Sequence, residues 1–113
     1  MTAQEVFDTV WTAMTVQRVP AFNSDKGMCM YRYEGLKCAV GCLMTDEEAA
    51  DMGYEGISAS NVPPRLYEHL YLLQKLQKAH DDTAIVSHRS SWLDSFRESA
   101  RIIAQNFNLS VPE

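Results

Sequence analysis

Cys29, Cys38 and Cys42, together with His69, His80 and His88, are the side chains of this chain best suited to nucleophilic or metal chemistry. A thiolate activated by an imidazole attacks carbonyl and phosphoryl centres. In that arrangement Cys38 or Cys42 would be the nucleophile, His80 the base, and Asp81 or Asp82 the group orienting the ring. Four thiolates, imidazoles or carboxylates converging at about 2.0–2.3 Å would instead hold zinc. Spacing speaks against zinc. No C-x-x-C occurs, and Cys38 and Cys42 on one extended strand would stand ~13 Å apart. No cysteine marks an evident helix N-terminus, where thiol acidity rises. The competing reading makes all three cysteines small apolar core residues. Neither a metal nor any other cofactor is expected.

His80-Asp81-Asp82 has the residue types of a metal-dependent phosphohydrolase, but the further His and Asp ligands such a site needs are missing. The alternative is a helix C-terminus whose dipole favours a histidine. Arg32, between Tyr31 and Tyr33, could grip a phosphate or carboxylate through its planar fork, helped by Lys37 or Arg18. It could equally be half-buried and paired with Asp46 or Glu34. Strand alternation places Arg32 on the opposite face from both tyrosines. The candidate ligand-binding set is therefore Arg32, Tyr31, Lys37 and Arg18.

These side chains sit on elements with clear local signals. Thr2 and Glu5 form a capping box ahead of Val6, Phe7, Val10, Trp11 and Met14, predicting a helix over 3–17 that Pro20 cannot continue. Glu34-Gly35 reads as the turn of a β-hairpin over about 28–44, with Tyr33 opposite Leu36, Tyr31 opposite Cys38 and Cys29 opposite Val40. Thr45 and Glu48 form a second capping box for a short helix over 46–52, with an irregular loop over 53–62 after it. A long helix over 64–81 follows, with Pro63 and Pro64 at its start. Leu66, Leu70, Leu73 and Leu76 make one stripe of it, and Tyr67, Tyr71 and Leu72 another. The second stripe is either further core or a homodimer face. Ser91 caps a last helix over 91–107, and Asn108 suits the left-handed position beyond it. A lone hairpin is marginal in water, so the helices must pack on it. The expected fold class is α+β in a single domain, residues 1–113.

Cys29-x-Tyr31-Arg32, then Gly35, then Cys38-Ala39-Val40-Gly41-Cys42-Leu43 with an acid at Asp46 resembles a segment shared by small, uncharacterised phage- and prophage-borne proteins. The order Leu76-Gln77, His80-Asp81, Trp92, Ile103-Ala104 and Phe107-Asn108-Leu109 also follows that group's pattern, so the resemblance spans most of residues 28–109. Glu47-Glu48 and Asn108 depart from it, where members often carry Tyr and Pro and a Gly. What the resemblance implies is a setting: a mobile-element accessory protein inside a bacterial host.

Composition narrows the function classes. The 113 residues are 46% hydrophobic and 22% charged, the profile of an ordinary folded domain. Net charge is −5, which disfavours a phosphate-backbone binder, since counterion release needs clustered Lys and Arg. Asp46, Glu47, Glu48, Asp51 and Glu55 form either an acidic contact patch or the acid-rich start of a helix. No apolar run reaches the roughly 20 residues that span a bilayer, no signal-peptide pattern opens the chain, and the odd cysteine count matches no disulfide framework. A cytoplasmic location with reduced thiols is expected. The working expectation is a small accessory protein that binds a host protein or a small anionic molecule, with counter-defence a plausible setting. The rival is a thiol-dependent hydrolase or transferase using Cys38 or Cys42 with His80.

Overall fold

Thr2 opens the first helix, α1 (Ala3–Gln17), through both halves of its capping box. The Thr2 hydroxyl accepts from the Glu5 N–H at 3.1 Å, and the Glu5 carboxylate accepts from the Thr2 N–H at 2.8 Å. Arg18 ends the helix in the left-handed conformation, φ 70°, donating its N–H to the Met14 carbonyl. The computed structural model describes residues 1–52, 62–86 and 91–112. His88, Glu55 and most of the expected 53–62 loop lie outside these.

Two antiparallel ladders follow. The first pairs β1 (Phe22–Asn23) with β2 (Met28–Cys29), Phe22 opposite Cys29. The second pairs β3 (Arg32–Tyr33) with β4 (Leu36–Lys37) across the Glu34-Gly35 turn, both turn residues at positive φ. Tyr33 faces Leu36 as expected. The expected pairs beyond it do not form. Cys29 turns to Phe22, and the chain after Lys37 winds into helical turns rather than a strand. Cys42 donates to the Cys38 carbonyl at 3.1 Å and Leu43 to that of Val40 at 3.0 Å, leading into a 3₁₀ turn at Gly41–Leu43. The separation of ~13 Å expected between Cys38 and Cys42 on a strand therefore does not apply.

The cause is distant in sequence. The Val40 N–H, which a ladder would use, donates to Gln77 Oε1 at 2.9 Å. Gly41 permits the fold-back. A Cβ there would stand 2.5 Å from the Tyr31 carbonyl oxygen, so only glycine allows the backbones so close.

Thr45 and Glu48 form the second capping box, of α2 (Asp46–Asp51). Pro64–His69 is a 3₁₀ turn that leads into α3 (Leu70–Val86). The long helix thus runs past Asp81-Asp82. Neither acid stops it, because Asp81 turns toward Gln77 and His80 while Asp82 pairs with Lys78 one turn back at 3.0 Å. α4 (Trp92–Asn106) starts after Ser91, which holds the cap position without a side-chain capping bond. Asn108 is left-handed at φ 55°, and Leu109 donates back to the Ala104 carbonyl at 2.8 Å.

The architecture is α+β: four α-helices with the two short ladders among the described residues. α3 packs most extensively on α4, and α1 lies against α4 and the Gly41–Leu43 turn. Phe7, Met14, Tyr31, Leu66, Leu73, Leu76, Trp92 and Phe96 fill the core between them. Of the second stripe on the long helix, Leu72 is buried, whereas Tyr67 and Tyr71 are exposed. No described helix is long and apolar enough to cross a membrane.

Candidate functional site

Leu73, Gln77 and His80 continue one helical stripe of α3 into the core, so the polar pair arrives where apolar side chains would otherwise pack. Both are buried, Gln77 at 2% and His80 at 0% exposure. Burying such groups costs several kcal/mol, roughly, unless each finds a partner. Each does. Ala21 N–H donates to His80 Nε2 at 3.2 Å, which leaves the ring proton on Nδ1, and Nδ1 donates to Asp81 Oδ1 at 2.8 Å. Gln77 Nε2 donates to the same carboxylate oxygen at 2.7 Å, and its Oε1 accepts from Val40. Trp92 Nε1 donates to the His80 carbonyl at 3.1 Å, its ring meeting the imidazole edge-on at 5.3 Å.

Cys29 completes the cluster. Its sulfur, a ring nitrogen of His80 and an oxygen of Asp81 lie within 4.8 Å of one another. The histidine expected to activate Cys38 or Cys42 therefore stands beside Cys29 instead. The environment works against a nucleophile. Burial pushes the Cys29 thiol far above its ordinary range, and the Asp81 carboxylate, which accepts from the thiol, pushes it further. Cys38 and Cys42 are both pushed up to about 12 by burial; Gly41 N–H donating to Cys38 Sγ and Lys37 near Cys42 offset only part of that. All three are thiols at neutral pH. A metal among Cys29, His80 and Asp81 fits no better. Ligation through Nδ1 would move the ring proton to Nε2, facing the Ala21 N–H donor, and ligation through Nε2 would displace that N–H.

Arg32 forms a second centre, 14% exposed. Nε donates to Asp46 Oδ1 at 3.1 Å, Nη1 to the carbonyls of Tyr31 and Gly41 at 3.0 and 2.8 Å, and Nη2 to that of Met44 at 3.0 Å. Of the two carboxylates considered for it, Asp46 is the partner. Its fork is filled by its own chain. Tyr31 is fully buried, its hydroxyl pushed up to about 12 by burial and then by Cys38 and Asp81. Lys37 lies directly opposite Arg32 in the second ladder, whereas Arg18 stands at the C-terminal end of α1. Gln17 holds Lys37 at both backbone groups, accepting from its N–H at 2.9 Å and donating to its carbonyl at 2.8 Å. Of the four candidate ligand-binding residues, Tyr31 is buried, Arg32 and Lys37 are half-buried cross-strand neighbours, and Arg18 is exposed.

Among the acids, Asp46 pairs with Arg32, and Glu48 takes Arg65 through both oxygens at 2.7 and 3.1 Å. Glu47 and Asp51 are exposed. The role of Cys29 and Gln77 is what sequence reasoning missed. Its signal was present: a glutamine four and a histidine seven positions after Leu73 on an apolar stripe. Comparison with known families, curated proteins and solved structures finds no match to this chain.

Proposed function

We propose that this chain acts by binding a partner protein, with no covalent step of its own, as an accessory protein of the phage and mobile-element type inside a bacterial cell. One observation carries the reading: the groups capable of chemistry are spent on the fold. Cys29, His80, Asp81 and Gln77 satisfy one another and two backbone N–H groups, and burial keeps the thiols protonated. A small anion at Arg32 is the weaker form of the binding reading, because that guanidinium already holds three carbonyls and a carboxylate. Counter-defence in the host cytoplasm is the biological setting that the Cys29–Leu43 resemblance favours.

Affinity capture from bacterial lysate tests it, with the tagged chain beside its Cys38→Ser and Cys42→Ser variants, each checked for folding by circular dichroism. A specific protein retained by all three supports binding without catalysis. No retained protein, or a turnover activity lost in either serine variant, overturns it in favour of the thiol enzyme.

A further inference from the structure

From Thr9 to Gln17, α1 carries no charged residue, although Asp8 and Arg18 bound the stretch. Part of that stretch is core: Val10, Trp11 and Met14 face inward. The rest is an uncharged outer face, on which Val16 is 77% exposed. Two depressions meet there and share Thr12 and Val16. One, of 510 Å³, runs toward the hairpin turn and reaches Leu36 and Lys37. The other, of 350 Å³, runs toward α4 and the C-terminal segment and reaches Arg97 and Pro112.

Cations border this face at both ends. Elsewhere Arg32, Arg65 and Lys78 are paired with carboxylates, and Lys75 lies over the Tyr71 ring. Lys37 and Arg97, which line the two depressions, and Arg18, which follows the last turn of α1, have no carboxylate partner among the described residues. Arg97 is held in place by the Trp11 ring, 5.5 Å from its centroid, and donates to Thr15 Oγ1 only at 3.4 Å. Its Nε is the one buried side-chain nitrogen or oxygen without an acceptor among the described residues. A chain of net charge −5 thus places two cations without a carboxylate partner among the described residues, Lys37 and Arg97, in the lining of an uncharged face, with Arg18 next along the chain.

We propose that this outer face of α1 is the docking groove for an acidic amphipathic segment of the partner protein. The proposal rests on the binding reading above and supplies its surface. Apolar side chains of the segment cover Val16 and Leu36, while its carboxylates meet Arg97 at one end and Lys37 and Arg18 at the other. Charge complementarity selects the occupant: a basic segment is repelled at both ends. A free anion leaves the apolar floor uncovered, and three bases beside so many acids make a poor nucleic-acid track.

Two synthetic amphipathic peptides with the same leucine stripe, one with glutamate and one with lysine at every polar position, provide the probe. Fluorescence anisotropy should show the glutamate peptide binding at least ~10-fold more tightly. V16D should weaken it by a similar factor, and the double variant K37E/R97E should reverse the preference. Val16 is exposed while Lys37 and Arg97 are half-buried, so unchanged urea midpoints are required to establish that the variants fold. Equal affinities, no binding of either peptide, or wild-type binding by V16D overturns the groove. Sedimentation of the wild type as a dimer that V16D dissociates overturns it in favour of a second copy on the same face. A lysate protein captured equally by wild type and V16D removes the groove and leaves the binding reading standing; a capture empty for both removes that reading itself.

Discussion

Arg32 donates to three carbonyls and one carboxylate drawn from four positions between Tyr31 and Asp46. Removing it strands acceptors that the surrounding backbone cannot reassign. Arg32→Ala is expected to cost about 2–4 kcal/mol, read from urea unfolding. Arg32→Lys should recover little, since an ammonium cannot reproduce the fork. A loss near zero, with anion affinity lost instead, would return Arg32 to the ligand-binding role. The thiols allow a second prediction at this scale. Their folded values lie above the ordinary 9.0, so the unfolded chain releases its thiol protons first as pH rises. Their contribution to stability is complete below about pH 9 and declines toward about pH 12. Native protein at pH 8 should therefore resist iodoacetamide and react fully once denaturant opens the core, with mass spectrometry counting the adducts. Rapid modification of any cysteine in the folded chain would contradict this.

Glu48 links two elements, closing the capping box of α2 and taking the Arg65 guanidinium that precedes α3. The Arg65 side chain first, and the Thr45 N–H second, hold its carboxyl down to about 2. A lowered value stabilises the fold above the ordinary carboxylate range, and that contribution fades as pH falls toward about 2. Glu48→Gln keeps a residue suited to the capping box and loses the ion pair; Glu48→Ala loses both, for about 1–2 kcal/mol at pH 7. The gap in urea midpoint between wild type and Glu48→Gln should persist to about pH 4 and close near pH 2. A gap unaffected by acid would remove the ion pair from the explanation. Both capping boxes and the Glu34-Gly35 turn were readable in the sequence because their partners lie within three residues. The rest of the expected hairpin was not. Whether Val40 extends a strand depends on a glutamine thirty-seven positions away that takes its N–H. The continuation of α3 to Val86 rests instead on local partners, Gln77, His80 and Lys78, that hold its acids within one turn and that a reading of Asp81-Asp82 as a stop overlooks.

Residues that the sequence singles out between Cys29 and Trp92 gather on two seams of the whole molecule. Arg32 and Gly41 form one; Cys29, Val40, Gln77, His80, Asp81 and Trp92 form the other. These residues serve the fold, whereas the groove on α1 could not be read from any one segment: that surface arises from α1, the hairpin turn, α4 and the C-terminal segment together. The second seam makes a prediction that no single element can make. Ala21 and Val40 donate their N–H groups to side chains of α3, outside either ladder. If α3 is the post to which the connecting segments are tied, both amides should exchange hydrogen only when the whole domain opens. Gln77→Ala should then release Val40 to fast local exchange while Ala21, still bonded to His80, stays slow relative to global unfolding. His80→Ala should do the reverse, and each variant should lose about 1–3 kcal/mol from the group left unpaired. Native-state hydrogen exchange read by NMR distinguishes the two amides. Equal acceleration of both in either variant would mean that the seam opens as one unit with the core, and that the two side chains are not separate anchors.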